Sequence, residues 1–171
     1  RALGAGSPTT AITAGLDGLW LALGLGTLAA IAVAATADPL TAAFGASSAT
    51  GEQATIYLRI GALGLPSMLV LLAVTGALRG LLDTRTPMVV AIAGFSLNIA
   101  LNLVFIHGLH WGIAGSAWGT VIAQTAMALA LTAVLLRKAR AAHAPPRPHP
   151  GRVLAAARTT SCTRAARSRL A

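Results

Sequence analysis

Charge is scarce in this chain, and acid is scarcer still. Only 10% of its 171 residues are charged, and four of them are Asp or Glu. A soluble domain of this length carries about 25% charged residues, so the body of the chain does not read as a water-facing globule. Cysteine is nearly missing: Cys162 stands alone, which excludes an intrachain disulfide and a cysteine metal cluster. Aromatics make up only 4%, a scarcity that suits helices packed closely in lipid. The chain opens on Arg1 and shows no basic, apolar and small-residue order of a signal peptide. It is therefore expected to be a piece of something longer.

What is abundant is apolar. Hydrophobic residues make up 56% of the chain, and they gather into four long stretches. Gly18 to Ala37 is uncharged and 20 residues long, with Asp38-Pro39 expected to end it. Residues 40–55 read as a connector with a short surface turn. Ile56 to Leu82 is a second span, with Tyr57 and Arg59 at its interface and Pro66 expected to kink it. Met88 to Ile106 is a third, preceded by Thr86-Pro87 as N-cap and first helical position. A turn over residues 107–111 leads to the fourth, Gly112 to Leu136, which must return antiparallel beside the third. Residues 1–17 read as a leading loop, with Ser7-Pro8 as a helix start. The expected fold is all-α, a polytopic membrane helical bundle.

The net charge of +9 is unevenly placed. Residues 1–136 hold four Arg and four acids, which cancel, and the other nine basic residues all lie from Arg137 onward. If the chain crosses four times, Arg1, Arg79, Arg85 and the Arg137-Lys138-Arg140 cluster share one side, and Arg59 alone marks the other. The positive-inside rule makes the first side cytoplasmic. Residues 139–171 are rich in Ala, Arg and Pro and too poor in apolar side chains to fold. This basic tail is expected to be a solvated segment near lipid headgroups. It has no aromatic residue for base stacking, so no specific nucleic-acid partner is expected.

No Ser/His/Asp set, paired carboxylates or phosphate-binding glycine loop appears, so the chain is not read as an enzyme. His107 and His110 have no Cys, Asp or Glu nearby to complete a metal site. The acids fall at span ends or in loops. Inside the third span the only amides are Asn98 and Asn102, four apart and so on one helical face. Two readings stand: packing glue between helices, or the wall of a polar cavity for an ion or substrate. On the fourth span, Gly115, Gly119 and Ala123 form a small-residue face, and Ser116 and Thr120 a stripe of hydroxyls. Those hydroxyls can bond their own backbone or complete a pocket with the amides.

Several stretches together resemble a known family. They are Tyr57-Leu58-Arg59-Ile60, Gly64-Leu65-Pro66, the run from Gly76 to Pro87 (GALRGLLDTRTP), Gly112 to Ala117 and Thr120 to Gln124, with Arg1 to Gly6 at the start. In that order they resemble the multidrug and toxic compound extrusion (MATE) family, and most of all its DinF-like branch. The resemblance covers about residues 1–138. It implies twelve transmembrane helices in two six-helix lobes, with this chain holding helices three to six of the N-terminal lobe. It implies export of organic cations across the cytoplasmic membrane in exchange for protons or sodium, with no cofactor. The expected partners are membrane lipid, small organic-cation substrates and the rest of the transporter. It carries the family's cation site onto Asn98, Asn102 and Thr120, with Asn102 standing where many members have an aspartate. A lipid-linked saccharide flippase of the same superfamily and a non-transporting membrane fragment remain as alternatives.

Overall fold

The computed structural model describes residues 8–43 and 48–141. Their regular structure is helical throughout. The helices are α1 (Pro8–Ala43), α2 (Ser48–Ala62), α3 (Leu65–Gly80), α4 (Arg85–Asn102) and α5 (Gly112–Ala141), with a π-helical segment, Leu103–Gly108, extending α4. Three spans are long and apolar enough to cross a membrane, and α2 with α3 makes a fourth bent by 45°. The expected all-α, multi-span bundle is the fold observed.

Helix α1 runs antiparallel to the bent pair. Near its start, Gly15 lies against Ala77 of α3 and Leu135 of α5. At its middle, Gly26 abuts the backbone of Pro66, where an added Cβ would sit 2.5 Å from the proline Cα. Only glycine permits that crossing. At the far end the Thr41 and Thr55 hydroxyls meet at 2.9 Å, and Arg59 pairs with Asp38 at 2.7 Å. Helix α5 packs against α2, α3 and α4. Leu16, Val74, Leu78, Leu131 and Leu135 from α1, α3 and α5 are at most 2% exposed and form the core. Because lipid tails are as apolar as leucine, this core holds by close contact and dispersion rather than by escape from water. Leu28, Ile31 and Ile99 are more than 60% exposed, as lipid-facing residues should be.

Several boundaries differ from those expected. Asp38-Pro39 does not end the first span, since α1 continues to Ala43. Pro39 forfeits the one backbone bond it would give the Ala35 carbonyl; next to it the Thr41 hydroxyl bonds the carbonyls of Ala37 and Asp38, and the Asp38–Arg59 pair ties this stretch to α2. The connector of residues 40–55 is mostly helix, because α2 already begins at Ser48. Asp17 is no loop residue: it lies inside α1 and is buried. The first helix begins at Pro8, and Ser7 lies outside the described residues. The second span does bend at Pro66. That residue sits in the first turn of α3, and tight bonds from Leu63 N–H to the Ile60 carbonyl and from Gly64 N–H to the Gly61 carbonyl make the break. Helix α5 runs to Ala141, so the first residues assigned to the tail are helical. Residues 142–171 lie outside the described residues.

At the α3–α4 turn, Asp83 does the capping expected of Thr86. Its carboxylate accepts the Thr86 amide at 3.1 Å and the Thr86 hydroxyl at 2.9 Å, and α4 starts at Arg85. Lys138 near the end of α5 reaches the same carboxylate at 2.9 Å. The lysine ammonium and the Thr86 donors hold the Asp83 pKa down at about 2. This contact puts Arg79, Arg85 and the Arg137-Lys138-Arg140 cluster at one end of the bundle, opposite the Asp38–Arg59 pair.

Candidate functional site

Helix α4 brings Asn98 and Asn102 one turn apart on the face that meets α5. The Asn102 amide Nδ2 donates to Asn98 Oδ1 at 2.8 Å. Asn98 Nδ2 donates in turn to Thr120 Oγ1 on α5 at 3.3 Å, and that hydroxyl donates to the Ser116 carbonyl at 3.0 Å. The four groups form one chain, with every donor pointing the same way. Such chains polarise along their length. At its head, Asn102 Oδ1 is buried and accepts no hydrogen bond. A buried carbonyl oxygen without a partner is costly, so the arrangement holds an acceptor ready.

The geometry depends on small residues in α5. A Cβ at Gly119 would lie 3.3 Å from Asn102 Oδ1, tighter than an ordinary contact. The expected small-residue face is thus the surface that lets the amide approach. Immediately after Asn102 the backbone becomes π-helical, a form frequent at functional sites. The connection to α5 is therefore shorter than expected, residues 109–111. It is clamped by the Phe105–Trp111 ring stack at 5.4 Å and by a bond from Trp111 N–H to the Phe105 carbonyl. This clamp fixes the level at which the two helices face each other, and so holds Thr120 beside Asn98.

Asn98 and Thr120 line a cavity of 680 Å³ between α3, α4 and α5. Thr120 also lines a second cavity of 280 Å³ toward α2, with Tyr57 and Leu58 on its wall. Met68 and Gln124 line both. The three site residues expected from sequence are therefore together, and two of them face open space. The amides join α4 to α5, and Asn98 also borders the larger cavity. Gln124 was missed, although it follows Ser116 and Thr120 at the same four-residue spacing. Arg79 and Thr75, at the far end of the larger cavity, carried no sequence signal that tied them to it. Among the described residues no three His, Cys, Asp or Glu side chains converge. The donors at the site are neutral oxygens, which suit a hard cation or an ammonium group.

Comparison with known proteins bears on what such a site serves. The MatE family model matches residues 1–104, a stretch that contains Asn98 and Asn102. DNA damage-inducible protein F of Escherichia coli (strain K12) is 36% identical over 129 residues, covering 75% of this chain and 28% of that protein. The probable multidrug resistance protein NorM of Caulobacter vibrioides is 32% identical over 143 residues, covering 80% and 30%. A solved inward-facing multidrug resistance MATE family transporter of the MOP superfamily superposes with a TM-score of 0.73 at 29% identity, over 77% of this chain and 30% of that one. The chain thus spans less than a third of the length of these relatives.

Proposed function

The chain belongs to the MatE family, a family of membrane transporters, and from that premise we propose that it is part of an antiporter exporting small organic cations in exchange for protons or sodium. It works without a cofactor and in the cytoplasmic membrane, with the Arg79, Arg85 and Lys138 end on the cytoplasmic side. Its partners are the surrounding lipid, the organic substrate and the remainder of the transporter, and it acts by transport rather than catalysis.

One observation carries this reading: the buried, unpartnered Asn102 Oδ1 at the head of the Asn102–Asn98–Thr120 chain. An unpaired acceptor attracts a cation and gains nothing from an anion. Asn102 is an amide, which cannot carry a proton near neutral pH. The site itself therefore suits sodium. Proton exchange would need a carboxylate elsewhere in the transporter.

The test is sodium-dependent efflux of a fluorescent organic cation from cells or vesicles carrying a full-length parent. Asn98→Ala should lower efflux more than its effect on protein level explains. Normal efflux in that variant sinks the reading.

A further inference from the structure

The break between α2 and α3 strands a backbone acceptor in the middle of a span. Pro66 has no N–H to give the Ala62 carbonyl. The Leu63 N–H turns back to the Ile60 carbonyl and the Gly64 N–H to the Gly61 carbonyl, and no backbone bond among the described residues reaches the carbonyl of Ala62. Ala62 is 2% exposed, and the break falls midway along the bent pair Thr50–Ala62 and Leu65–Gly80, where lipid offers no donor. Broken backbone at such depth is tolerated only where protein buries it or where it borders a water-filled cavity. Here Gly61, Ala62, Gly64 and Leu65 all line the smaller cavity, of 280 Å³. Its lining comes from α1, α2, α3 and α5, together with the break, and carries no charged side chain among the described residues.

Across from the break, α5 presents Gln124, whose side chain makes no hydrogen bond among the described residues. A Cβ at Gly64 would lie 2.9 Å from Gln124 Oε1, so glycine at the break is what admits the amide oxygen. Thr120, one turn earlier on α5, lines the same cavity. Its hydroxyl hydrogen goes to the Ser116 carbonyl, so its oxygen serves as an acceptor. Helix α2 ends at Ala62, and a helix C-terminus carries partial negative charge. Carbonyls at such an end, freed by a broken helix, are natural ligands for sodium. We propose that the smaller cavity is a second binding site for sodium, held by Gln124 Oε1, Thr120 Oγ1 and the Ala62 carbonyl, with water completing its coordination. The cavity has room for the ion and several waters at about 30 Å³ each. The proposal rests on the sodium reading above and adds a site on the α2 side of Thr120, which the two sites share.

The test is sodium-dependent melting of the whole detergent-solubilised chain, with N-methylglucamine chloride holding the ionic strength constant. Sodium that binds the folded chain raises its melting temperature, with a concentration dependence set by the affinity. Gln124→Leu should shift that dependence to roughly five-fold higher sodium, through loss of one oxygen ligand. Gln124→Glu keeps the shape and adds charge, and at about pH 8 it should shift the dependence to roughly ten-fold lower sodium. Gly64→Ala, whose Cβ would push Oε1 aside, should weaken the sodium response as Gln124→Leu does. A sodium dependence unchanged in both Gln124 variants overturns the proposal, as does a sodium effect no larger than that of N-methylglucamine. Asn98→Ala separates the two sites. A sodium effect lost there but unaltered in both Gln124 variants would leave the polar chain as the cation site and remove this one. If Gln124→Leu fails to fold, the comparison of Gln124→Glu with the unsubstituted chain decides the matter.

Discussion

Asp83 and Lys138 lie 55 positions apart in the chain, yet their charged groups meet at 2.9 Å and fasten the α3–α4 turn to the end of α5. The carboxylate also caps α4 through Thr86. Its pKa is lowered from 3.8 to about 2. A depressed carboxylate contributes stability that is complete above its unfolded pKa and lost as pH falls through the folded one. The melting temperature of the detergent-solubilised chain should therefore lose this contribution between about pH 4 and about pH 2. Asp83→Asn should melt lower at pH 7, by on the order of 1 kcal/mol, because Lys138 is 39% exposed and solvent screens it. The gap between the two proteins should narrow toward pH 2. A gap that stays constant across that range would remove Asp83 as its source.

Gly119 sets how closely Asn102 meets α5. An alanine Cβ there would need the amide to yield by a few tenths of an ångström, since it would start 3.3 Å from Oδ1. Alanine also favours the helix by about 1 kcal/mol over glycine, so the two effects should nearly cancel. Leucine has no such relief and should cost about 1–3 kcal/mol by overpacking. Melting of Gly119→Ala and Gly119→Leu checks this. A Leu variant as stable as the parent would mean that α4 and α5 are not in close contact here.

Orientation is open to labelling. With Cys162→Ser as background, single cysteines at Gln53 or Leu109 should react with an impermeant maleimide from outside intact cells, and one at Thr84 only after lysis. These positions sit at opposite ends of the bundle, because the Asp83–Lys138 pair marks one end and the turn over residues 109–111 the other. Outside labelling at Thr84→Cys would invert the proposed topology.

How much of this could be read from the residues depends on how local the cause is. The spans follow from unbroken apolar runs, and the shared face of Asn98 and Asn102 follows from their spacing alone. The short turn before Gly112 placed Thr120 at their level. Other features needed partners distant in sequence. The passage of α1 through Pro39 is supported by α2, whose first residues, Ser48 to Thr55, are small and polar enough to read as a connector. The π-helical turn after Asn102 adds one residue per turn without any change in hydrophobic pattern. The larger cavity exists because α3 and α4 both lean on α5, and no single stretch encodes that.

The polar chain itself gives the sharpest prediction. Asn98 both accepts from Asn102 and donates to Thr120, so Asn98→Ala cuts the chain and leaves two groups unpaired. Removing it should cost about 1–3 kcal/mol of stability, and in a full-length parent it should impair sodium-coupled efflux beyond that loss. Asn102→Asp keeps the shape and adds a charge at the atom that now lacks a partner. A carboxylate there would bind sodium more tightly and would also titrate, whereas the native amide does neither. Efflux by Asn102→Asp should therefore become more sensitive to external pH than that of the parent, while Thr120→Val, which keeps volume but not the hydroxyl, should weaken sodium dependence without adding any pH response. If Asn102→Asp leaves the pH profile unchanged, the oxygen at this position does not face the coupling ion, and the chain serves to join α4 to α5.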